Sequence, residues 1–385
     1  PELVARHVEA IVAGMQSVGV AATMKHFPGK GDSKIDSHHG LPLIDHDMDR
    51  LESVEFLPFR AAIDAGVKLA MTGHFALPAL TGSDDLPCTL AEESNTGLLR
   101  EEMGFEGAMI TDALDMGSLE QGAYQIVDMI AAINSGVDLL LLTADAEQEE
   151  RATSGLELAL SRRLVSTEHL AAADERVLEL RRWVDGFPTP DLSVVGCDDH
   201  TALNAELARR SITLVKNDRG LLPLATTTGT RTVVIEMQPA VLTPADTSHY
   251  EDATFGARLT RLLDGQVDSV VIPMDASAED VAVALAKAEG ADLVVVATAA
   301  AQLFDAQGAL VRQLLEVHDD VVVVAQRTPW DLLAFPEAHT YLCAWSVNPA
   351  SMEAAANALV GAAPIAGRLP VTVGDFPTGF GLDLG

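Results

Sequence analysis

The sequence predicts an α/β protein in which a parallel sheet covered by helices is followed by a second, three-layer α/β domain. Three observations carry the prediction. Short apolar runs at residues 18–24, 67–74, 107–114 and 136–143 are each preceded by a segment with helical spacing, which is the βα alternation of a parallel sheet. A second series of apolar runs, at 232–236, 269–272, 292–297, 320–325 and 340–344, follows a break at 185–199 that contains Pro188, Pro190 and Gly196. The chain has 385 residues, 48% of them apolar, enough for two sizeable cores.

Taken in order, residues 2–16 place apolar side chains at helical intervals, and 18–24 is short enough to be a buried strand. A polar loop follows at 25–42, reading KHFPGKGDSKIDSHHGLP. Between Phe27 and Gly31, one proline and two glycines forbid regular structure and let the backbone approach a ligand closely. So dense a mixture of ionisable and turn-forming residues suits an active-site loop. Asp36 and His38 stand two apart, and in an extended segment both side chains point the same way. A carboxylate beside an imidazole fixes its tautomer and favours the protonated form, which a general acid needs. The same spacing also suits a surface loop in which Asp36 caps a turn.

The later runs read VKLAMTGH, GAMITDAL and GVDLLLLT. Lys25 and His26, His74, and Asp112 stand at the carboxyl ends of the predicted strands, where barrel enzymes keep their chemistry. Asp112 follows Ala-Met-Ile-Thr and is a candidate for a reacting carboxylate or for the N-cap of the next helix. Asp115, further into the loop, reads as a cap or a solvated residue. Residues 144–183, charged and rich in alanine and leucine, read as helices closing the first domain. The expected limits are therefore 1–184 for that domain, 185–199 for a linker and 200–385 for the second domain. There, 200–215 reads as a helix running into a strand, with a turn at Leu221-Leu-Pro-Leu224. Lys216, Asn217, Asp331 and Arg368 read as residues that cap helices or pin turns.

KHFPGxG followed by DSHxxLP, then MTGH, then GFEGAMITDALDMG, resembles the bacterial β-N-acetylglucosaminidases of glycoside hydrolase family 3. RSITLVKNDRGLLPL, the TPWDLLAF segment and the ending AGRLPVTV extend the likeness into the second domain, in the family's order. The resemblance implies a (β/α)8 barrel followed by an α/β sandwich. It implies that Asp112 is the nucleophile, that His38 is the acid/base with Asp36 as its partner, and that Lys25 and His26 hold the sugar. Lys30 stands where the family often has His or Asp. The implied reaction is retaining exo-hydrolysis of terminal β-linked GlcNAc, from muropeptides or chitin-derived sugars, through a covalent glycosyl-aspartate. A histidine that has given up its proton is neutral and repels an anion less than a carboxylate does, so the choice between water and phosphate as acceptor stays open. A β-glucosidase or β-xylosidase of the same family and a catalytically inactive sugar-binding protein are the alternative readings. The Asp-Ser-His triplet argues against the former.

A complete barrel typically needs about 250 residues, whereas four βα units precede the second domain. The resemblance makes these strands five to eight, the carboxyl-terminal half of the barrel, and Pro1 in place of Met suggests a longer reading frame. Such a half barrel exposes strand edges and an apolar face and is expected to self-associate unless the other half is supplied.

With 25 basic and 57 acidic residues, the formal charge of −32 should repel nucleic acid and anionic membranes. Cys88, Cys197 and Cys343 are odd in number and widely spaced, and are expected to be free thiols. Neither HExxH, a P-loop nor GxGxxG after a strand occurs, so no metal and no cofactor is expected. No apolar stretch of about twenty residues suggests membrane insertion; the compartment, cytoplasmic or extracytoplasmic, stays open.

Overall fold

The structure is a computed structural model of residues 1–385. It describes all of them except residues 34–36, 38, 144, 244, 245, 249 and 250. The chain forms two compact units, Pro1–Pro190 and Asp191–Gly385.

The first unit is built on a parallel sheet in the order β1-β2-β3-β4, formed by Thr23–Phe27, Leu69–Thr72, Ala108–Ala113 and Leu139–Leu141. Helices alternate with these strands. Glu2–Ser17 precedes β1 and Phe56–Asp64 precedes β2. Gln125–Asn134 precedes β4, while Ala146–Ser161 and Thr167–Asp185 follow it. Local chemistry sets several boundaries. Ser166 accepts the backbone N–H of His169 to start Thr167–Asp185, and Asp145 accepts that of Gln148 to start Ala146–Ser161.

Because side chains alternate across a strand, each strand divides its residues between two environments. Met24, Phe27, Ala70 and Met109 pack against Phe56, Phe59, Leu98 and Leu99 on the helix side. Lys25, Leu69, Met71 and Ile110 line a cavity of about 860 Å³, to which Met24, Phe59 and the first helix also contribute.

The first strand is displaced from its expected position. Of the run at 18–24 only Thr23 and Met24 enter a strand: the helix ends at Ser17, Gly19 turns the chain at φ +82°, and Val18 and Val20 are exposed. The ladder starts at Thr23, so Lys25 and His26 lie within β1 rather than in the loop after it. Similarly, Asp112 is the fifth residue of β3, not the first of a loop.

The second unit contains a six-stranded sheet in the order β5-β10-β9-β8-β6-β7. Its strands are Thr213–Asn217 (β5), Arg231–Gln238 (β6), Gln266–Pro273 (β7), Leu293–Thr298 (β8), Val321–Ala325 (β9) and Thr340–Cys343 (β10). Only β5 runs antiparallel to its neighbour. Both faces are covered, giving three layers. Val233, Ile235, Val294 and Val323 pack with Leu310 and Leu314 on one face. Val234, Val295, Val322 and Val324 pack with Phe255, Leu259, Met352 and Leu359 on the other. This two-sided burial explains why β8 and β9 read as unbroken valine runs. Among the described residues no helix is long and apolar enough to cross a membrane.

Candidate active site

The carboxyl ends of β1, β2 and β3 bring Lys25, His26, His74 and Asp112 to one side of the parallel sheet. Register does this: Phe27 pairs with Thr72, and Thr72 with Thr111, so the three strands end level with one another. His26 Nε2 lies 3.4 Å from Asp112 Oδ2. The other carboxylate oxygen, Oδ1, accepts the backbone N–H of Ala113 at 2.8 Å. Asp112 is only 17% exposed and His26 30%, so their mutual field is weakly screened by water. Lys25 lines the cavity beside them, together with Met71 and Ile110 from the neighbouring strands.

The loop after β1 is anchored from beneath. Phe27 is fully buried and meets Phe59 edge to face with ring centroids 5.3 Å apart. A side chain at Gly29 would press its Cβ to 3.0 Å from Glu55 Cβ, and the backbone there has φ +124°, so glycine alone fits. Glu55 is itself buried and is paired with Arg50 at 2.8 Å. Lys30 Nζ donates to Ser37 Oγ at 3.1 Å, and His46 Nε2 lies 2.8 Å from Asp32 Oδ1, tying the loop across its width. Asp36 and His38 lie outside the described residues. Asp115 accepts the Thr143 hydroxyl at 2.7 Å, a contact that joins the β3 and β4 loops.

His74 is buried to 1% exposure. Its Nε2 lies 3.1 Å from the Ala113 carbonyl oxygen and its Nδ1 2.8 Å from Thr89 Oγ1. The position of His74 at a strand end was visible in the sequence; Thr89, fifteen residues away, carried no signal of its own.

Burial is the main influence on both imidazoles, holding them below the ordinary histidine range. For His26 the Asp112 carboxylate pulls the other way, while Lys25, Lys30 and His74 add to the depression. For His74 the opposing pull comes from Asp112, the Ala113 and Asp112 backbone and Asp115. Both rings are thus neutral at pH 7. The unfolded chain takes up protons near pH 6.5, where the folded one does not, so stability is complete above that pH and falls as pH drops below it. The His74 contribution alone approaches about 1.4 kcal/mol per pH unit below 6.5. Thermal melts at pH 7.5 and 5.5 should show a drop in midpoint that shrinks in His74→Gln; an equal drop in the variant would disprove the assignment.

In the second unit, the four polar residues singled out from sequence make contacts within that unit. Lys216 donates to Pro336 O, and Asn217 brackets Leu222 through both backbone groups. Asp331 accepts Thr298 Oγ1 and Ala301 N–H, and Arg368 reaches Asp383. Burial raises the Asp331 carboxyl to about 6.

Residues 1–180 match the glycosyl hydrolase family 3 N terminal domain, and residues 212–378 match the family 3 C-terminal domain. The chain belongs to glycosyl hydrolase family 3. The two-domain α/β arrangement, a barrel-type parallel sheet followed by an α/β sandwich, is the fold of this family. Among curated family 3 relatives, β-hexosaminidase A of Pseudoalteromonas piscicida is 35% identical over 246 residues, covering 58% of this chain and 40% of its own. Among solved structures, a family 3 β-N-acetylglucosaminidase from Paenibacillus sp. str. FPU-7 superposes with a TM-score of 0.83 at 31% identity, over 94% of this chain and 69% of that one. A fungal multi-domain family 3 β-N-acetylglucosaminidase gives a TM-score of 0.88 at 27% identity, over 99% of this chain and 44% of that one. The chain therefore spans about two fifths of the length of the curated β-hexosaminidase it matches.

Proposed function

We propose that residues 1–184, within the first unit, carry the reacting groups of a retaining exo-β-N-acetylglucosaminidase. The observation that carries this reading is the Asp112 carboxylate at the end of β3, one oxygen held by Ala113 N–H and the other turned toward His26, with Lys25 on the same sheet edge. A carboxylate so held can attack the anomeric carbon as the leaving oxygen departs, forming a glycosyl-aspartate that water later cleaves. His38, with Asp36 as its partner, donates the proton to the leaving oxygen and then takes one from the incoming water. Lys25 and His26 bind the sugar's hydroxyls, His26 as a neutral ring. The β-hexosaminidase and β-N-acetylglucosaminidase relatives support GlcNAc as the glycone.

The test measures nitrophenol release from the β-GlcNAc and β-glucoside substrates. It uses this chain and a version preceded by four further βα units taken from a relative's barrel. The expected result is a preference for β-GlcNAc of at least ~10²-fold in kcat/KM, the scale available to a site that hydrogen-bonds a substrate group. A preference for the β-glucoside would replace this reading with a β-glucosidase, equal rates would remove the specificity for GlcNAc, and binding without turnover would replace it with a sugar-binding protein.

His38→Ala separates the acid step. In kcat/KM, which reports the steps up to the glycosyl-aspartate and not its hydrolysis, an alkyl glycoside should lose about 10²–10⁴-fold, whereas the nitrophenolate needs little protonation and its kcat/KM should fall much less. Equal losses on both substrates would take the acid role away from His38.

A further inference from the structure

We propose that His74 is a positioning residue for the nucleophile, acting as a fixed Nε2–H donor that holds Ala113 and, through it, the carboxylate of Asp112. This rests on the reading of Asp112 as nucleophile. Ala113 is held from two sides: its N–H donates to Asp112 Oδ1 at 2.8 Å, and its carbonyl oxygen lies 3.1 Å from His74 Nε2. A carbonyl oxygen only accepts, so Nε2 carries the proton.

The rest of the ring's environment sets the same tautomer. Nδ1 faces Thr89 Oγ1 at 2.8 Å, and Thr89 Oγ1 in turn receives the Thr72 hydroxyl at 3.1 Å. With the Thr89 proton on Nδ1, every donor in the row Thr72, Thr89, His74 and Ala113 points the same way, and each bond polarises the next. The Thr89 hydroxyl also lies 3.0 Å from Gly73 O. Sending its single proton there would leave Nδ1 as a second donor and make a buried imidazolium, which burial opposes.

Thr89 is fixed independently, its carbonyl accepting Asn95 Nδ2 at 2.9 Å and Ser135 Oγ at 3.3 Å. Thr72, Thr89 and Asn95 are fully buried. Buried polar groups cost free energy unless each is paired, and this row spends its pairings on one carbonyl, that of the residue next to Asp112. The ionisable groups facing His74 are Asp112 and Asp115 on the β3 side and His26 on β1.

The test has two readouts. Long-range ¹H–¹⁵N spectra of this chain should show a protonated Nε2 and an unprotonated Nδ1 on His74 at pH 7; a proton on Nδ1 overturns the proposal whether or not the chain turns over substrate. Kinetics compare His74→Leu with His74→Gln, in the active form of the enzyme and at a temperature where both are folded. Gln places an amide N–H the same number of bonds from Cα as Nε2, so it can still hold the carbonyl. His74→Leu should lose roughly 10–10²-fold in kcat with KM little changed. The acid limb of its kcat/KM profile should move to higher pH, because the loosened Ala113 N–H no longer stabilises the Asp112 carboxylate. His74→Gln should recover most of the rate and leave the limb in place. Equal losses in Leu and Gln with an unmoved limb would mean that the ring merely fills space. Should Asp112→Asn be inactive while His74→Leu keeps wild-type kcat, this inference alone falls; should Asp112→Asn remain active, the reading of the site falls with it.

Discussion

Asp112→Asn should lower kcat by a factor on the order of 10⁴ while leaving KM within a few-fold, a loss of about 5.5 kcal/mol of transition-state stabilisation. The amide is isosteric with the carboxylate and can still accept Ala113 N–H through its oxygen. It cannot supply the negative charge that balances an oxocarbenium-like centre, nor form the ester to the sugar. The effect falls on kcat because the missing interaction develops only as the bond to the leaving group breaks. A second variant makes the assignment specific: Asp112→Gly with added azide should produce an α-glycosyl azide, since azide enters from the face the carboxylate has vacated. Retention of more than about a tenth of the activity in Asp112→Asn, or a β-azide product, would remove Asp112 from the nucleophile's place.

The largest expected effect on stability comes from the opposite end of the same sheet. Asp138, immediately before β4, has a fully buried side chain. One of its oxygens accepts Arg176 Nε at 3.0 Å and Nη2 at 2.7 Å, and the other accepts Arg100 Nη2 and the Met109 backbone N–H, both at 2.7 Å. One carboxylate thus joins β3, the approach to β4, the helical segment Glu93–Glu102 and the helix Thr167–Asp185. Asp138→Ala leaves two largely buried guanidinium groups facing each other without a counter-charge and strips Met109 N–H of its acceptor. Removing one partner of a buried pair costs about 3–5 kcal/mol, which for a unit of this size lowers the melting midpoint by roughly 10 °C. Thermal unfolding followed by circular dichroism measures this directly. A shift corresponding to less than about 1 kcal/mol would show that the bridge contributes no more than an exposed ion pair. At temperatures where the variant is folded its kcat should be unchanged, because Asp138 lies at the amino-terminal end of the strands, away from Asp112.

Both sites illustrate what a linear reading can reach. Lys25, His26, His74 and Asp112 could be picked out because each ends or nearly ends a short apolar run, and parallel strands share a common exit side. The run at 18–24 misled for a physical reason: Val18 and Val20 cap a helix and sit in water, and hydrophobicity alone does not separate such residues from a strand. Asp138 and Thr89 carried no sequence signal. Their importance comes from partners up to 38 residues away for Asp138 and 46 for Thr89.

Local order along the chain was enough for the βα alternation, the valine strands of the second sheet and the position of Asp112 near the end of a strand. These depend on periodicity, turn residues and strand direction, all of which act between near neighbours. The 3.4 Å approach of His26 to Asp112, the contacts of His74 with Ala113 and Thr89 and the two guanidinium partners of Asp138 emerged only once the strands were in register. Pairing between strands, rather than any property of a single segment, sets those distances, and the protonation of a buried ring follows from what then surrounds it.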